Sequence, residues 1–387
     1  MKIGIDQIGF YTPNKYVDMI DLAHARNQDP NKFLIGIGQE TMSIADQTQD
    51  AVSMGINSTL RYLDQIDKDN VGLLVFGTES SVDQSKSASL FVKTALNLAP
   101  QVRTFEVKEA CFGLTAGLMI ARDYVRAHPD KSAIVIGSDI ARYGVNTGGE
   151  VTQGAGSISI LVKKDPRILE LNDGHSAYSE DIKDFWRPNN SKLAKVDGKY
   201  STQVYLDFFT KTFNQYKKDQ NLATKDFDAL IYHLPFTKMG LKANRLAVED
   251  QDEETTKRLQ ENFEASKKWS AKVGNIYTGS LYLSLLSLLE NSNLEPGARI
   301  GLFSYGSGAM AEFFSATLVE GYQGMLDKTA DYDLIQRRKK LTVPEYEEIF
   351  NNSLVDPKDQ VKLTSDEVDG KWYFAGTKND IRQYQVK

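Results

Sequence analysis

This chain is poor in the residues that build crosslinks and metal sites. Its 387 residues hold one cysteine and four histidines. A single cysteine cannot close an internal disulfide, so nothing here calls for an oxidising compartment. His24, His128, His175 and His233 are scattered, and none stands at metal-ligand spacing from Cys111. No apolar run approaches the ~20 residues that span a bilayer. The opening MKIGIDQIGFYTP carries Asp6 where a signal peptide has its apolar core, and the closing RQYQVK matches no targeting or lipidation signal. A basic excess is missing too. The formal net charge is −6, which argues against a nucleic-acid partner. These absences point to a cytoplasmic protein with no membrane segment, no metal and no nucleic acid.

What is present is ordinary globular composition, 41% hydrophobic and 25% charged, enough for one large domain or two medium ones. The runs KIGIDQIGF, VGLLVFGTES, SAIVIGSD and SISILVKK read as buried strands. Thr41 to Leu63, Lys86 to Leu98 and Leu114 to Val125 carry apolar residues at helical spacing. The alternation is that of an α/β protein with a largely buried sheet. KKDPR, Lys163 to Arg167, reads as a boundary, after which the order repeats. FDALIYHLPFTKMG stands where VGLLVFGTES stood. VGNIYTGSLYLSLLSLLEN, Val273 to Asn291, follows the cysteine segment: a strand end, a small-residue turn, an apolar helix. ARIGLFSYGSGA parallels SAIVIGSD. Two similar halves, 1–165 and 166–387, suggest duplication, although α/β units resemble one another in any case. The charged stretch Glu320 to Asn352 reads as surface helices outside the repeat.

The candidate chemistry starts at FEVKEACFGLTAGL. Cys111 follows a strand and precedes a helix, with Ala110 and Gly113 leaving room beside it. A free cysteine is often a small buried hydrophobe. At a helix mouth the dipole favours a thiolate, so the expectation is a nucleophile. Glu79, in FGTES, ends a buried strand; such a carboxylate is either a backbone cap or an acid/base group whose pKa burial raises. His233 and Asn275 stand at comparable points of the second half. Asn275 is also a good helix N-cap. The glycine-rich FSYGSGAMAEFF is either a tight strand-to-strand turn or a loop that aims the Ser307 N–H at an oxyanion. Lys238 and Lys242 are four apart, and Arg245 three further, so a helix would put them on one face, solvated or facing an anionic substrate.

FGTESSVDQSKS, EACFGLTAGL, YHLPFTKMGLKA, GNIYTGSLYLSLLSLLE and LFSYGSGAMAEFF, in this order, resemble the 3-hydroxy-3-methylglutaryl-CoA synthase family in its bacterial form. The resemblance runs from the first strand to beyond residue 315. It implies a thiolase-like fold of two duplicated halves in a five-layered αβαβα core, with a helical addition at about 320–352, assembled as a homodimer. It implies that acetyl-CoA condenses with acetoacetyl-CoA and water, giving HMG-CoA in the mevalonate pathway. The CoA thioesters are substrates, and no cofactor is implied. Carried over, Cys111 is the acyl-thioester nucleophile, Glu79 the base for the acetyl methyl, and His233 a contact to the acetoacetyl group. Asn275 and Ser307 complete polar contacts to the acyl groups. Lys238 and Lys242 meet CoA phosphates or the pantetheine arm. Thr152 and Ser201 touch bound product; read without the resemblance, both are ordinary loop hydroxyls. The alternative is a related condensing enzyme acting on carrier-protein thioesters, a β-branching synthase or a type III β-ketoacyl synthase, the latter sharing the fold and the Cys/His/Asn set but not the base at Glu79; a non-catalytic thiolase-like subunit would lack the nucleophile. Thiolases use a second cysteine that this chain lacks.

Overall fold

The computed structural model describes residues 1–354 and 370–387. Nine strands form one sheet: β1 (Ile3–Tyr11), β2 (Val71–Gly77), β3 (Arg103–Val107), β4 (Ser132–Ile140), β5 (Ala155–Lys164), β6 (Leu169–Ser179), β7 (Ala229–Tyr232), β8 (Arg299–Gly306) and β9 (Met310–Leu318). Their order is β7-β8-β9-β6-β1-β5-β4-β2-β3. Strands β2/β3, β2/β4 and β7/β8 pair in parallel, and every other neighbour is antiparallel. The sequence halves mirror each other about a short seam, where Gly4 faces Glu170 and Ile5 faces Leu169. The first half runs β1-β5-β4-β2-β3 outward from that seam, the second β6-β9-β8-β7.

The principal helices are α1 (Ala51–Thr59), α2 (Gly113–Ala127), α3 (Gly198–Gln220), α4 (Thr237–Val248) and α5 (Ser280–Asn291). Strand alternation sends successive side chains to opposite faces, and this sets the layers. Leu74, Phe76, Ile134 and Ile136 pack with Val52 and Ile56 of α1 on the outside. Leu73, Val75, Ala133 and Val135 turn inward to Leu114 and Leu118 of α2, in a core shared with Leu281 and Leu285 of α5. From the second half Ala229, Ile231, Ile300 and Leu302 join that same core. Leu230, Tyr232, Phe303, Tyr305 and Phe313 point the other way, into an aromatic cluster with Tyr205, Phe208, Phe209 and Phe213 of α3. The sequence of layers is helix, first-half strands, paired central helices, second-half strands, helix, the one sheet wrapping both sides of the central pair. Each large apolar side chain taken from water into these cores contributes ~1.5–3 kcal/mol. The central helices touch directly, with the Thr115 Oγ1 2.8 Å from the Tyr282 hydroxyl.

Three expectations change. Thr41 to Leu63 is not one helix: Thr41–Ser43 is a strand paired with Lys15–Asp18, and helix α1 begins at Ala51. Asp50 and Ser53 fix that start by a reciprocal capping box, at 2.8 and 2.9 Å. The residue before the Gly274–Asn275 turn ends a helix, Lys268–Val273, rather than a strand, so β3 has no counterpart among the described residues of the second half. Gly274 ends that helix at φ +87°, where a Cβ would lie 2.0 Å from the Gln153 carbonyl oxygen. FSYGSGAMAEFF is a strand-to-strand turn, joining β8 to β9. The region 320–352 does hold helices, Lys328–Gln336 and Val343–Ser353, yet Leu334, Ile335, Tyr346 and Phe350 are buried. Between them Lys339–Lys340 adds a strand beside Lys15–Tyr16, so this segment is stitched to the body and does not lie loosely on its surface. No described helix is long and apolar enough to cross a membrane. Of the second half, residues 355–369 lie outside the described residues.

Candidate active site

Two glycines bring the corners of the site together. A Cβ on Gly77, the last residue of β2, would lie 2.6 Å from the Gly113 carbonyl carbon and 2.7 Å from the Leu114 nitrogen. The end of β2 therefore seats directly on the first turn of α2, which brings Glu79 to Cys111. A Cβ on Gly306 would lie 2.6 Å from the Glu109 carbonyl oxygen, so the end of β8 seats on the cysteine turn from the other half. In that turn Ala110 has φ +42°, a strained value for alanine of the kind kept at functional sites.

The Cys111 thiol donates to Glu79 Oε1 at 3.1 Å. Burial first, with the nearby Asp139 adding to it, pushes the Glu79 carboxyl up to about 7 against a downward pull from Arg187 and the thiol. The Cys111 thiol is itself held well above its ordinary value, by burial first and then by the facing Glu79 carboxylate, with Asp139 and Asp184 adding to it. This reverses the expected thiolate. Low dielectric and three nearby carboxylates act against the charge that a helix mouth favours, and the sulfur is held as a thiol that donates to Glu79.

His233 follows β7 and is buried. Its backbone N–H donates to the Phe303 carbonyl at 2.8 Å, and its own carbonyl accepts from the Tyr205 hydroxyl at 2.7 Å. Burial lowers its imidazole to about 3, so the ring is neutral throughout the physiological range. Asn275 divides its side chain between the two roles open to it. Its Oδ1 accepts from the Tyr277 N–H and from the Ser280 hydroxyl, both at 2.9 Å, as a capping group does. Its amide nitrogen is left toward the Tyr143 hydroxyl, 3.5 Å away.

A cavity of about 570 Å³ opens between the halves, and Cys111, Thr152, Ser201, His233, Asn275 and Ser307 all line it. Glu79 stands behind the sulfur. Thr152 closes a 3₁₀ turn and donates to the Gly149 carbonyl at 2.9 Å. Ser201 is on the first turn of α3, not on a loop, and donates to Asp184 at 2.9 Å. Lys238 and Lys242 share α4 as expected and are half-buried. Neither lines the cavity, although Met239 between them does.

Sequence reading missed the groups behind the front row. Asp139, at the end of β4, is fully buried. It accepts from the Glu79 N–H at 2.7 Å, the Thr78 hydroxyl at 2.9 Å and the Thr278 hydroxyl at 2.5 Å. It thereby ties the Glu79 loop to the second half. An aspartate closing an apolar run was the same signal that singled out Glu79, and it stood in SAIVIGSD. Asp184, Arg187 and Tyr143 sit in irregular segments with no periodicity to mark them.

Family models for the hydroxymethylglutaryl-coenzyme A synthase N terminal and C terminal regions match residues 1–166 and residues 171–268 and 252–384. A hydroxymethylglutaryl-CoA synthase of Enterococcus faecalis is 45% identical over 386 residues, covering 100% of each chain. A polyketide biosynthesis 3-hydroxy-3-methylglutaryl-ACP synthase of Bacillus subtilis (strain 168) is 30% identical, covering 91% of this chain and 89% of that protein. A crystal structure of an HMG-CoA synthase complexed with CoA superposes with a TM-score of 0.96 at 43% identity, covering 100% of both chains. Matched along both halves and over its full length, the chain belongs to the hydroxymethylglutaryl-CoA synthase family.

Proposed function

We propose that the chain condenses acetyl-CoA with acetoacetyl-CoA and water to give 3-hydroxy-3-methylglutaryl-CoA and CoA, as the condensing step of the mevalonate pathway, with the residues named above in the following roles. One observation carries the assignment: the Cys111 thiol bonded to the Glu79 carboxyl at 3.1 Å, at the inner wall of a cavity between the halves. Cys111 Sγ attacks the acetyl thioester, its proton passes through Glu79 to the departing CoA sulfur, and free CoA leaves. Glu79, again ionised, takes a proton from the acetyl methyl. The resulting carbon attacks the ketone of acetoacetyl-CoA, and Glu79 returns the proton to the new alkoxide. Water then cleaves the Cys111 thioester, releasing the carboxylate product and restoring the thiol. A group near 7 is suited to both directions of transfer. Neutral His233 donates an N–H to the acetoacetyl thioester oxygen without carrying a charge, and the Asn275 amide and the Ser307 N–H face the acyl oxygens.

Thr152 and Ser201 line the part of the cavity that would hold product, and Lys238 and Lys242 approach the phosphates or pantetheine arm of CoA. The reaction so written needs no cofactor beyond its two thioesters. CoA rather than a carrier protein is favoured by 45% against 30% identity to relatives of the two kinds. The division at 165/166 is supported by the family model ending at 166, and a homodimer by the open edge of the sheet at β3. The lone cysteine fits a cytoplasmic setting. The test mixes the protein with both thioesters, follows free CoA, and weighs the Cys111 peptide. An acetyl adduct and CoA release are expected. Neither appearing overturns the reading, and turnover of carrier thioesters in place of CoA thioesters reverses the choice of substrate.

A further inference from the structure

The guanidinium of Arg187 donates a hydrogen bond to the backbone carbonyl of Glu79 and stands 3.9 Å from its Oε2. We propose that Arg187 is the positioning residue of this site: it clamps the loop after β2 and sets a positive charge against the Glu79 carboxylate, keeping that carboxylate ionised and aimed at the acyl sulfur. This rests on Glu79 being the base. The segment that delivers Arg187 is itself fixed. Asp184, three residues earlier, accepts from the Tyr305 hydroxyl at 2.8 Å, the Ser201 hydroxyl at 2.9 Å and the Gly308 N–H at 2.9 Å. Phe185–Trp186 then pairs with Lys195–Val196, and Phe185 and Val196 line the cavity. The Arg187 side chain is 19% exposed and that of Glu79 5%, so water screens the pair weakly.

The other groups facing Glu79 make the charge count. Cys111 and Glu109 face it from the cysteine turn, Asp139 from β4, and the Tyr143 phenol from the cavity wall, with the buried Tyr277 phenol packed against it. Two of these are carboxyl groups and none is a cation. Without Arg187 the carboxylate would meet burial and Asp139 with no opposing positive charge. A nearby opposite charge favours the ionised carboxylate. The clamp also has a geometric part, because it holds the Glu79 carbonyl while Asp139 bonds the same residue's N–H.

The experiment isolates condensation. Full-length protein is acetylated on Cys111, freed of CoA, and mixed with acetoacetyl-CoA in single turnovers from about pH 6 to about pH 9. In the parent the rate should rise through a group near 7. In Arg187→Met that rise should move up by about one unit, giving roughly a tenfold loss at the acid end that narrows toward pH 9. Arg187→Lys should fall between. Arg187→Gln keeps a donor for the carbonyl without the charge; it should show the same shift, and it replaces the Met variant if that variant unfolds. A superimposable profile in the uncharged variants, or an equal loss at every pH, overturns the inference. Glu79→Gln separates the two levels. If it abolishes the rise while Arg187→Met leaves it in place, the positioning role alone falls. If the rise survives in Glu79→Gln, Glu79 is not the base and both readings fall together.

Discussion

The two halves put comparable residues at comparable places and give them opposite chemistry. Glu79 follows β2 and His233 follows β7; Cys111 precedes α2 and Asn275 precedes α5. All four are poorly exposed. Burial penalises charge, so it raises the Glu79 carboxyl to about 7 and lowers the His233 imidazole to about 3. The same physical effect makes the carboxyl able to give and take a proton near neutrality, and makes the imidazole unable to. On the roles proposed above, the first half supplies the reacting pair, a thiol and a titrating acid. The second half holds fixed donors, a neutral ring and an amide. Matching positions in the two halves thus carry side chains on which one shared low dielectric acts in opposite senses.

The sharpest way to break this comparison is to remove the thiol that the second half replaces with an amide. Cys111→Ala should form no acetyl-enzyme by mass spectrometry and should lose condensation by more than about 10⁴-fold, because the covalent route closes. Asn275→Ala, at the matching position, should still acetylate. Retention of full condensation by Cys111→Ala would show that the halves do not divide as described. Glu79→Ala comes next, with a loss of roughly 10²–10⁴ in condensation measured from the acetylated enzyme. His233→Ala should lose less, since it removes one hydrogen bond to the substrate; about 10–10³-fold is expected.

The opposite shifts also predict opposite linkage to stability. Glu79 binds its proton more tightly folded than unfolded, so between about 4.5 and 7 its contribution is present at the acid end and is lost as pH rises. His233 is the reverse: unfolded it titrates at 6.5, folded at about 3, so its contribution is present above 6.5 and is lost as pH falls. At pH 5 that loss amounts to ~2 kcal/mol for His233. Urea unfolding should find His233→Gln losing less stability than the parent on going from about pH 7.5 to about pH 5, while Glu79→Gln loses less than the parent on going from about pH 5 to about pH 7. Two variants with the same slope as the parent would mean that neither group is titrating where burial places it.

How much of this could be read from the chain differs by region in a physical way. Continuous apolar runs gave β2, β4 and β5 directly, since strands buried on both faces show themselves as such. Strand β6 was invisible because LELNDGHSAYS alternates buried and exposed residues and carries no apolar run. The places of Glu79, Cys111, His233 and Asn275 were legible from punctuation: a strand ending, or a helix starting, at a polar residue. Their protonation was not. The Cys111 thiol depends on Glu79, Asp139 and Asp184, which come from three separate segments, and on a burial that no local window reports. Arg187 was illegible for the same reason, as its meaning lies in a contact across 108 residues.

The smallest expected effect lies at the mouth of the site, where the comparison is weakest. Lys238 and Lys242 open α4, and the first half has no equivalent pair after Glu79, whose loop reads SSVDQSKS. Neither lysine makes an ion pair among the described residues, so removing them leaves no partner stranded. If they meet CoA phosphates at a wet entrance, each contributes ~0.2–1 kcal/mol, which is a rise in KM of at most about fivefold for each lysine. Because the contact is made equally before and during the reaction, kcat should hold while KM rises. The effect should also shrink as salt is added, since a charge contact at a wet entrance is screened. A double variant Lys238→Ala/Lys242→Ala that lowers kcat at saturating thioester would place the lysines inside the reacting geometry. One that leaves KM unchanged at low salt would remove them from the substrate's path.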